Sequence, residues 1–179
     1  MFDVVEFVAA CRAAVTDTEP QLAIRDTLEA AVANPQEVAA ALPPTRAEIV
    51  ELFGSPDLTV LKVVWAPGMG FGPHDHRMWA AIAVYSGGEH NQFFRRVGTT
   101  VTCSGDKELR PGDVCLLGRD AVHAVANPTA EYAGAIHVYG GDFFGTPRSE
   151  WRGDAREEEP YDVERVLASF EAANRPPAS

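Results

Sequence analysis

The sequence predicts a mainly β protein, built as a sandwich or barrel, with a helical N-terminal segment and a C-terminal helix. From Asp57 onward, short runs rich in β-branched residues alternate with turns that contain glycine or proline, as in proteins with many short strands. Before that point, apolar residues recur at helical spacing. The 179 residues suit one structural domain, divided into a helical segment (1–56), a barrel (57–145) and a C-terminal extension (146–179).

The helical segment contains three predicted helices. Apolar residues recur at helical spacing from Val4 to Val15, and Asp3 stands where a capping residue is expected. Pro20 and Pro35 open the next two helices, because proline is favoured in the first helical turn. We also expect residues 46–53 to form one or two further helical turns.

The rest of the chain is predicted to form short strands separated by turns such as Gly87-Gly88 and Pro111-Gly112. After the last strand, residues 154–159 are expected to form a solvated loop, 162–173 an amphipathic helix and 176–179 a disordered end. The predicted strands cover residues 58–65, 78–85, 91–97, 99–103, 114–117, 123–126 and 132–139.

Charge and cysteine content narrow the classes of partner. The chain carries 26 acidic and 15 basic residues, and the resulting net charge of −11 repels nucleic acid and anionic membranes. Three cysteines without a CxxC pair favour neither a disulfide framework nor a thiolate zinc site. The N-terminus lacks the pattern of a signal peptide, and no apolar run has the length of a membrane span. We therefore expect a cytoplasmic monomer or homodimer that binds small molecules.

The five histidines include one pair with the spacing of a metal chelate. His74 and His76 are two residues apart, so in a strand they project from the same face. Asp75 then points away, where it can pair with Arg77. An HxH pair alone is a weak indication of a metal site, because the same two residues could lie on an exposed loop.

The surroundings of this pair are more specific. The chain has the pattern G-x5-H-x-H-x10-G from Gly68 to Gly87, and P-G-D-x9-H-x3-N from Pro111 to Asn127. This order resembles the two motifs of the cupin superfamily. The resemblance implies a cupin double-stranded β-helix, which is a jelly-roll barrel, and one divalent metal ion held by His74, His76 and His123.

One departure from the usual cupin pattern bears on the chemistry. An acidic ligand ordinarily follows the second histidine, but Ala80 and Ala81 occupy the corresponding positions. Three neutral imidazoles would leave the full +2 charge on the ion, which favours an anionic guest such as a thiolate, an enolate or a carboxylate. They would also leave coordination positions open for substrate and dioxygen.

A three-histidine set of this kind resembles the thiol dioxygenase group of cupins, which includes cysteine dioxygenase and 3-mercaptopropionate dioxygenase. Residues 65–79 are similar to the stretch around the first two ligands, and 135–139 (Ala-Ile-His-Val-Tyr) resemble that group's Ser-x-His-x-Tyr strand. The resemblance implies an iron(II) enzyme that oxidises a small thiol with O2 to its sulfinate, with Tyr139 and His137 as catalytic residues. Ala135 replaces the serine, and Ala81 replaces the cysteine that cross-links to the tyrosine in animal enzymes.

The sequence indicates the residue that would bind a substrate carboxylate less clearly than it indicates the metal ligands. Arg46 lies roughly where the group has its substrate-binding arginine, although Pro44 replaces a tyrosine found there. The other basic candidates are Lys62, Arg77, Arg95 and Arg96.

Several alternatives stay open from the sequence. The same ligands suit Zn, Ni or Mn, and hence a C–C cleaving dioxygenase, an isomerase or a lyase. A non-enzymatic cupin that binds a small molecule is a further possibility. His137 and Tyr139 could simply pack in the core. His90 is expected to be exposed and Glu89 solvated, although Glu89 is the carboxylate close enough in sequence to be an unexpected ligand.

Overall fold

A computed structural model describes residues 1–153 and 157–175 of the chain. Three helices come first: α1 (Val4–Ala14), α2 (Pro20–Val32) and α3 (Pro35–Ala41). The last described element is helix α4 (Val163–Ala173). The strands between them are β1 (Glu48–Gly54), β2 (Thr59–Trp65), β3 (Gly70–Asp75), β4 (Ala80–Ser86), β5 (Glu89–Val97), β6 (Thr100–Leu109), β7 (Val114–Leu117), β8 (Val122–Ala126), β9 (Ala133–Tyr139), β10 (Ser149–Arg152) and β11 (Glu157–Pro160).

Local sequence accounts for the helix boundaries. The Asp3 carboxylate accepts hydrogen bonds from the backbone amides of Val5 and Glu6, which have no partner within the helix. Pro20 and Pro35 occupy the first turns of α2 and α3, as predicted. The side-chain amide of Gln21 donates to backbone carbonyls of β4 and β7, which fastens α2 to the sheet beneath it.

The strands form two antiparallel sheets in the described part of the chain. The first sheet has the order β1-β2-β9-β4-β7. The second has the order β10-β11-β6-β5-β8-β3, and it closes on itself because β3 also pairs with β10. Within this sheet β3 pairs directly with β8, and these two strands carry two of the predicted metal ligands, His74 and His123.

Alternation along β9 divides the core into two parts. Ala135 and Tyr139 face a cluster between the sheets that also contains Val125 of β8. Ile136 and Val138 face a second cluster, which the buried sides of α1, α2 and α3 complete. None of the helices in the described ranges combines the length and apolarity that crossing a bilayer requires.

The structure corrects two predictions about secondary structure. Residues 46–53 are not helical, because Glu48–Gly54 is strand β1, paired with β2 and fastened by a 2.5 Å contact between Lys62 and Glu48. The predicted loop at 154–159 includes part of strand β11 (Glu157–Pro160), which pairs with β10, while residues 154–156 lie outside the described ranges. The sheets therefore extend beyond 57–145 on both sides. Residues 176–179 also lie outside the described ranges.

Candidate metal centre

Three buried histidines converge between the sheets. His74 in β3 lies directly opposite His123 in β8, and His76 follows β3 by one residue. Their ring centroids are 4.6 Å (74–123), 5.0 Å (76–123) and 5.1 Å (74–76) apart. One ring nitrogen from each lies within 4.8 Å of the others, a spacing at which a single ion could be held.

The turn after β3 orients His76. The carboxylate of Asp75 is fully buried and points away from the three rings. It accepts hydrogen bonds from Arg96 and from the backbone amide of Ser149 (2.8 Å), and it lies 2.6 Å from Arg77 Nε. Arg77 has a positive φ of 58°, an uncommon conformation that turns the chain directly after His76. The predicted pairing of Asp75 with Arg77 is confirmed.

Contacts at Nδ1 of His74 and of His123 leave Nε2 of each ring as the atom that could bind a metal ion. His74 Nδ1 lies 3.0 Å from the carbonyl oxygen of Gly72, and His123 Nδ1 lies 2.9 Å from Oδ1 of Asn91. With the proton on Nδ1, each ring keeps a lone pair on Nε2. His123 Nε2 is buried and has no hydrogen-bond partner among the described residues, as expected of a nitrogen that binds a metal. The residues therefore fit a divalent ion.

The environment keeps all three imidazoles neutral. Burial lowers the pKa of His74 from 6.5 to about 4. Burial, together with the neighbouring histidines and the charge of Arg148, also lowers the pKa of His76 well below 6.5. The pKa of His123 is lowered in the same direction by burial and by His74 and His137. A neutral imidazole is the form that binds a metal ion.

His137 and Tyr139 lie beside the three histidines on one face of β9. His137 Nδ1 and the Tyr139 hydroxyl are 2.9 Å apart, and the Tyr139 ring packs edge-on against His76 at 5.0 Å. Burial raises the pKa of Tyr139 far above its ordinary value, so the hydroxyl keeps its proton and acts as a donor. The structure thus brings five predicted site residues together: His74, His76, His123, His137 and Tyr139.

Glu89 is not solvated, contrary to the sequence-based expectation. It is 1% exposed, and its carboxylate accepts hydrogen bonds from Trp65 Nε1 (3.0 Å) and Asn91 Nδ2 (3.4 Å). The turn at Gly87, with a φ of 63°, makes Glu89 the first residue of β5, so that it shares a buried face with Asn91. The alternation of Glu89 and Asn91 with the more exposed His90 and Gln92 was the signal for this face. His90 is partly exposed and lies 3.3 Å from Asp106.

The basic residue at the site is Arg148, which the sequence did not single out. Arg46 instead lies on the surface, where its side chain is 52% exposed and pairs with Glu171. The guanidinium carbon of Arg148 lies 3.9 Å from the centroid of the Phe143 ring and 4.2 Å from that of the Tyr161 ring, and the residue is 7% exposed. Arg148 lies in an irregular segment before β10, where no periodicity indicates burial.

The guanidinium of Arg148 has one satisfied and one open edge. Its Nη1 donates to the carbonyl oxygen of Phe143. Nε and Nη2 are buried without a hydrogen bond of normal geometry to a described residue, although the Arg148 side chain lies close enough to the Tyr161 hydroxyl to oppose the rise in the Tyr161 pKa that burial causes. Its positive charge adds to the effect of burial in lowering the pKa of His74 and His76, and it partly opposes the rise that burial causes in the pKa of Tyr139. Arg148 therefore acts electrostatically on the same site.

The histidines line a small cavity. Its volume is about 30 Å³, and its wall includes the three histidines, His137, Tyr139 and several apolar side chains. A wider cleft of about 310 Å³ lies outside it, bordered by Glu150 and Arg165. Phe71, His74 and Tyr161 line both spaces, so the cleft is the approach to the cavity.

No protein-family model matches the chain. Similar solved structures include BH2720 from Bacillus halodurans, with 14% identity, a TM-score of 0.54, and coverage of 74% of this chain and 90% of that one. The cupin domain of Cnp3 from Schizosaccharomyces pombe has 12% identity, a TM-score of 0.47, and coverage of 57% and 68%. Oxalate oxidase in complex with the substrate analogue glycolate has 17% identity, a TM-score of 0.45, and coverage of 55% and 52%.

These likenesses concern the fold, and the chain spans only about half the length of the oxalate oxidase that it matches. The structure has the predicted architecture: two antiparallel sheets, helices before them and a helix after them. Within it, three histidines form a group that could hold a metal ion. The chain therefore adopts the cupin fold.

Proposed function

We propose that this protein is a mononuclear non-haem iron(II) dioxygenase that oxidises the thiol of a small thiol carboxylate to a sulfinate. In the overall reaction both oxygen atoms of O2 are transferred to sulfur, and sulfur supplies the four electrons. The observation that carries the proposal is the all-imidazole ligand group beside a hydrogen-bonded tyrosine and an unpaired, buried arginine. His74, His76 and His123 would hold the iron, which when bound supplies a Lewis-acidic, redox-active centre for thiolate and O2.

The charge of the site favours an anionic substrate. The group of side chains that could hold the ion contains three neutral imidazoles and no carboxylate within the described residues. The positive charge of Arg148 adds to that of the ion. Because the cavity is buried, such charges interact more strongly than they would in water. A thiolate with a carboxylate on the same molecule would place one negative charge beside each of these positive groups.

Arg148 is the residue that would bind the carboxylate. Nε and Nη2 form one edge of the planar guanidinium, and this edge matches the two oxygens of a carboxylate. Because the other edge donates to Phe143, and the guanidinium packs against the rings of Phe143 and Tyr161, the open edge keeps a fixed direction. A carboxylate would satisfy two buried donors that otherwise lack partners.

Tyr139 would orient the bound reactants. Its hydroxyl stays protonated and lies against His137, which fixes the direction of the O–H group. The Tyr139 ring contacts His76, so the hydroxyl belongs to the wall of the same cavity. Phe143 packs on the Tyr139 ring at 4.3 Å and helps to exclude water. The volume of about 30 Å³ restricts the substrate to a small molecule.

Oxygen uptake with a panel of compounds tests the proposal. The purified protein, loaded anaerobically with iron(II), is mixed with cysteine, 3-mercaptopropionate, cysteamine and thiol-free carboxylates. We expect uptake of one O2 per thiol with cysteine or 3-mercaptopropionate, formation of the sulfinate, and slower uptake with cysteamine, which lacks a carboxylate. The His123→Ala variant serves as the control without a complete ligand set. Absence of uptake with every thiol would overturn the proposal, and turnover of a thiol-free acid would favour a C–C cleaving dioxygenase.

A further inference from the structure

Glu89 is a fully buried carboxylate that lies between the two halves of the site. On one side, Asn91 Nδ2 donates to it at 3.4 Å, and Asn91 Oδ1 lies 2.9 Å from Nδ1 of the ligand His123. On the other side, its Oε1 lies 3.7 Å from Nε2 of His137, whose Nδ1 contacts the Tyr139 hydroxyl. An unbroken series of polar side chains thus connects a metal ligand to the tyrosine.

Between Glu89 and His123, only one arrangement of hydrogen-bond donors and acceptors is consistent with an ionised carboxylate. An ionised carboxylate accepts hydrogen bonds and cannot donate them, so Asn91 must turn its NH2 group toward Glu89. The amide oxygen of Asn91 then faces His123, and it requires a proton on Nδ1 of that ring. The lone pair of His123 consequently lies on Nε2, the nitrogen that faces the other two histidines and has no partner of its own.

The same carboxylate biases the tautomer of His137. The separation of 3.7 Å is longer than a hydrogen bond but within the range of a strong electrostatic contact in a buried site. His137 Nε2 is buried without a hydrogen-bond partner among the described residues, so a proton there is stabilised by the nearby negative charge. With the proton on Nε2, Nδ1 accepts from the Tyr139 hydroxyl.

We propose that Glu89 is a positioning residue that sets the tautomers of both His123 and His137, through Asn91 in the first case and by its charge in the second. This inference deepens the proposed function, since it assigns one residue to both the metal ligands and the tyrosine. Among the described residues, Glu89 reaches the ligand His123 through Asn91, so its carboxylate is not itself part of the ligand group.

The direct test measures histidine tautomers in the metal-free protein. Long-range proton–nitrogen NMR correlations of 15N-histidine-labelled protein distinguish a proton on Nδ1 from one on Nε2. In the wild type we expect the Nδ1 tautomer for His123 and the Nε2 tautomer for His137. In Glu89→Gln, the new amide cannot accept from Trp65, Asn91 and His137 together, so at least one of the two histidines should change its tautomer or become a mixture.

The second readout is affinity for Zn²⁺, measured by competition with a chromophoric chelator. Removing the support behind a metal-binding histidine weakens binding by about 10–100-fold, and we expect a loss in this range for Glu89→Gln. Glu48→Gln is the control, because it likewise changes a carboxylate to an amide, at a partly buried position in β1 where Glu48 contacts Lys62. It should leave the Zn²⁺ affinity unchanged.

A further variant keeps the test decisive if Glu89→Gln does not fold. Asn91→Ala interrupts only the branch to His123, so it should weaken Zn²⁺ binding while the His137 tautomer stays as in the wild type. Unchanged tautomers in Glu89→Gln, or unchanged Zn²⁺ affinity in Asn91→Ala, would overturn the inference. Neither readout depends on thiol oxidation, so a failure of the proposed activity would be distinguishable from a failure of this assignment.

Discussion

Among the described side chains with buried, unpartnered polar atoms are His123 and Arg148, both close to the proposed metal centre. His123 Nε2 and two nitrogens of Arg148 are enclosed without hydrogen bonds from the described residues. Leaving such groups unsatisfied costs about 1–3 kcal/mol each, and more for a charge. This cost is offset when His123 Nε2 binds a metal ion and Arg148 binds an anionic ligand. Both residues therefore belong to the proposed site.

The role of Arg148 can be tested against that of Arg46. Arg148→Gln removes the charge and the two-pronged edge, so we expect KM for a thiol carboxylate to rise by about 100-fold, corresponding to roughly 3 kcal/mol. KM for cysteamine, which has no carboxylate, should change little. The measurement is steady-state oxygen uptake with both substrates.

Arg46→Gln is the control for this prediction, because Arg46 is exposed and paired with Glu171. It should leave both KM values near those of the wild type. Equal effects of Arg148→Gln on cysteine and cysteamine would contradict the assignment.

At the scale of elements, the site depends on how β3 ends. The β3–β8 register brings His74 and His123 together, and the turn at Arg77 brings in His76. Asp75 holds this turn through Arg96, Arg77 and the amide of Ser149. The buried carboxylate of Asp75, which contacts three donors, therefore helps to fix the position of His76 in the ligand group.

Replacing Asp75 should affect both stability and metal binding. Asp75→Ala leaves the backbone amide of Ser149 without its acceptor and removes the shared partner of two partly exposed arginines, which costs about 1–3 kcal/mol in the free energy of unfolding. It should also weaken Zn²⁺ binding, because His76 loses its fixed direction. Urea unfolding and chelator competition measure the two effects.

Asp26→Ala provides the comparison at the element scale. Asp26 is exposed and pairs with Arg25 on α2, so its loss should cost less than about 1 kcal/mol. Equal destabilisation by the two substitutions would mean that Asp75 has no special role at the end of β3.

The sequence predicted most elements and the three-histidine group because these depend on local spacing. Runs of β-branched residues and the turn residues that bound them identified β2 and β9, and the spacing of His74, His76 and His123 in the two motifs that resemble those of cupins identified the predicted ligands. Strand β1 was missed because its conformation depends on pairing with β2, a contact between separate segments. Arg148 was missed because closure of the fold, and no pattern in its own segment, buries it.

At the scale of the whole molecule, the buried histidines should couple folding to pH. The pKa of His74 is about 4 in the folded protein and ordinarily 6.5. Between these values the unfolded chain binds more protons than the folded one, so stability rises with pH and is lost as pH falls below about 6.5. For His74 alone, lowering the pH from 7 to 5 should cost about 2 kcal/mol.

Urea unfolding of the metal-free protein at pH 7, 6 and 5 measures this dependence. The depressed pKa values of His76 and His123 act in the same direction, so the observed loss should be larger than that from His74 alone. In His74→Gln the dependence should be shallower. Equal stability at pH 7 and pH 5 would show that these imidazoles are not buried in their neutral form.

The most direct test of the central claim is anaerobic titration of the metal-free protein with Fe²⁺. We predict one ion per chain, and a loss of affinity of at least about 100-fold when His74, His76 or His123 is replaced by alanine. His90→Ala should bind as the wild type does, because His90 lies outside the group and contacts Asp106. Unchanged affinity in His123→Ala, or no binding by the wild type, would contradict the claim that these three imidazoles hold one metal ion.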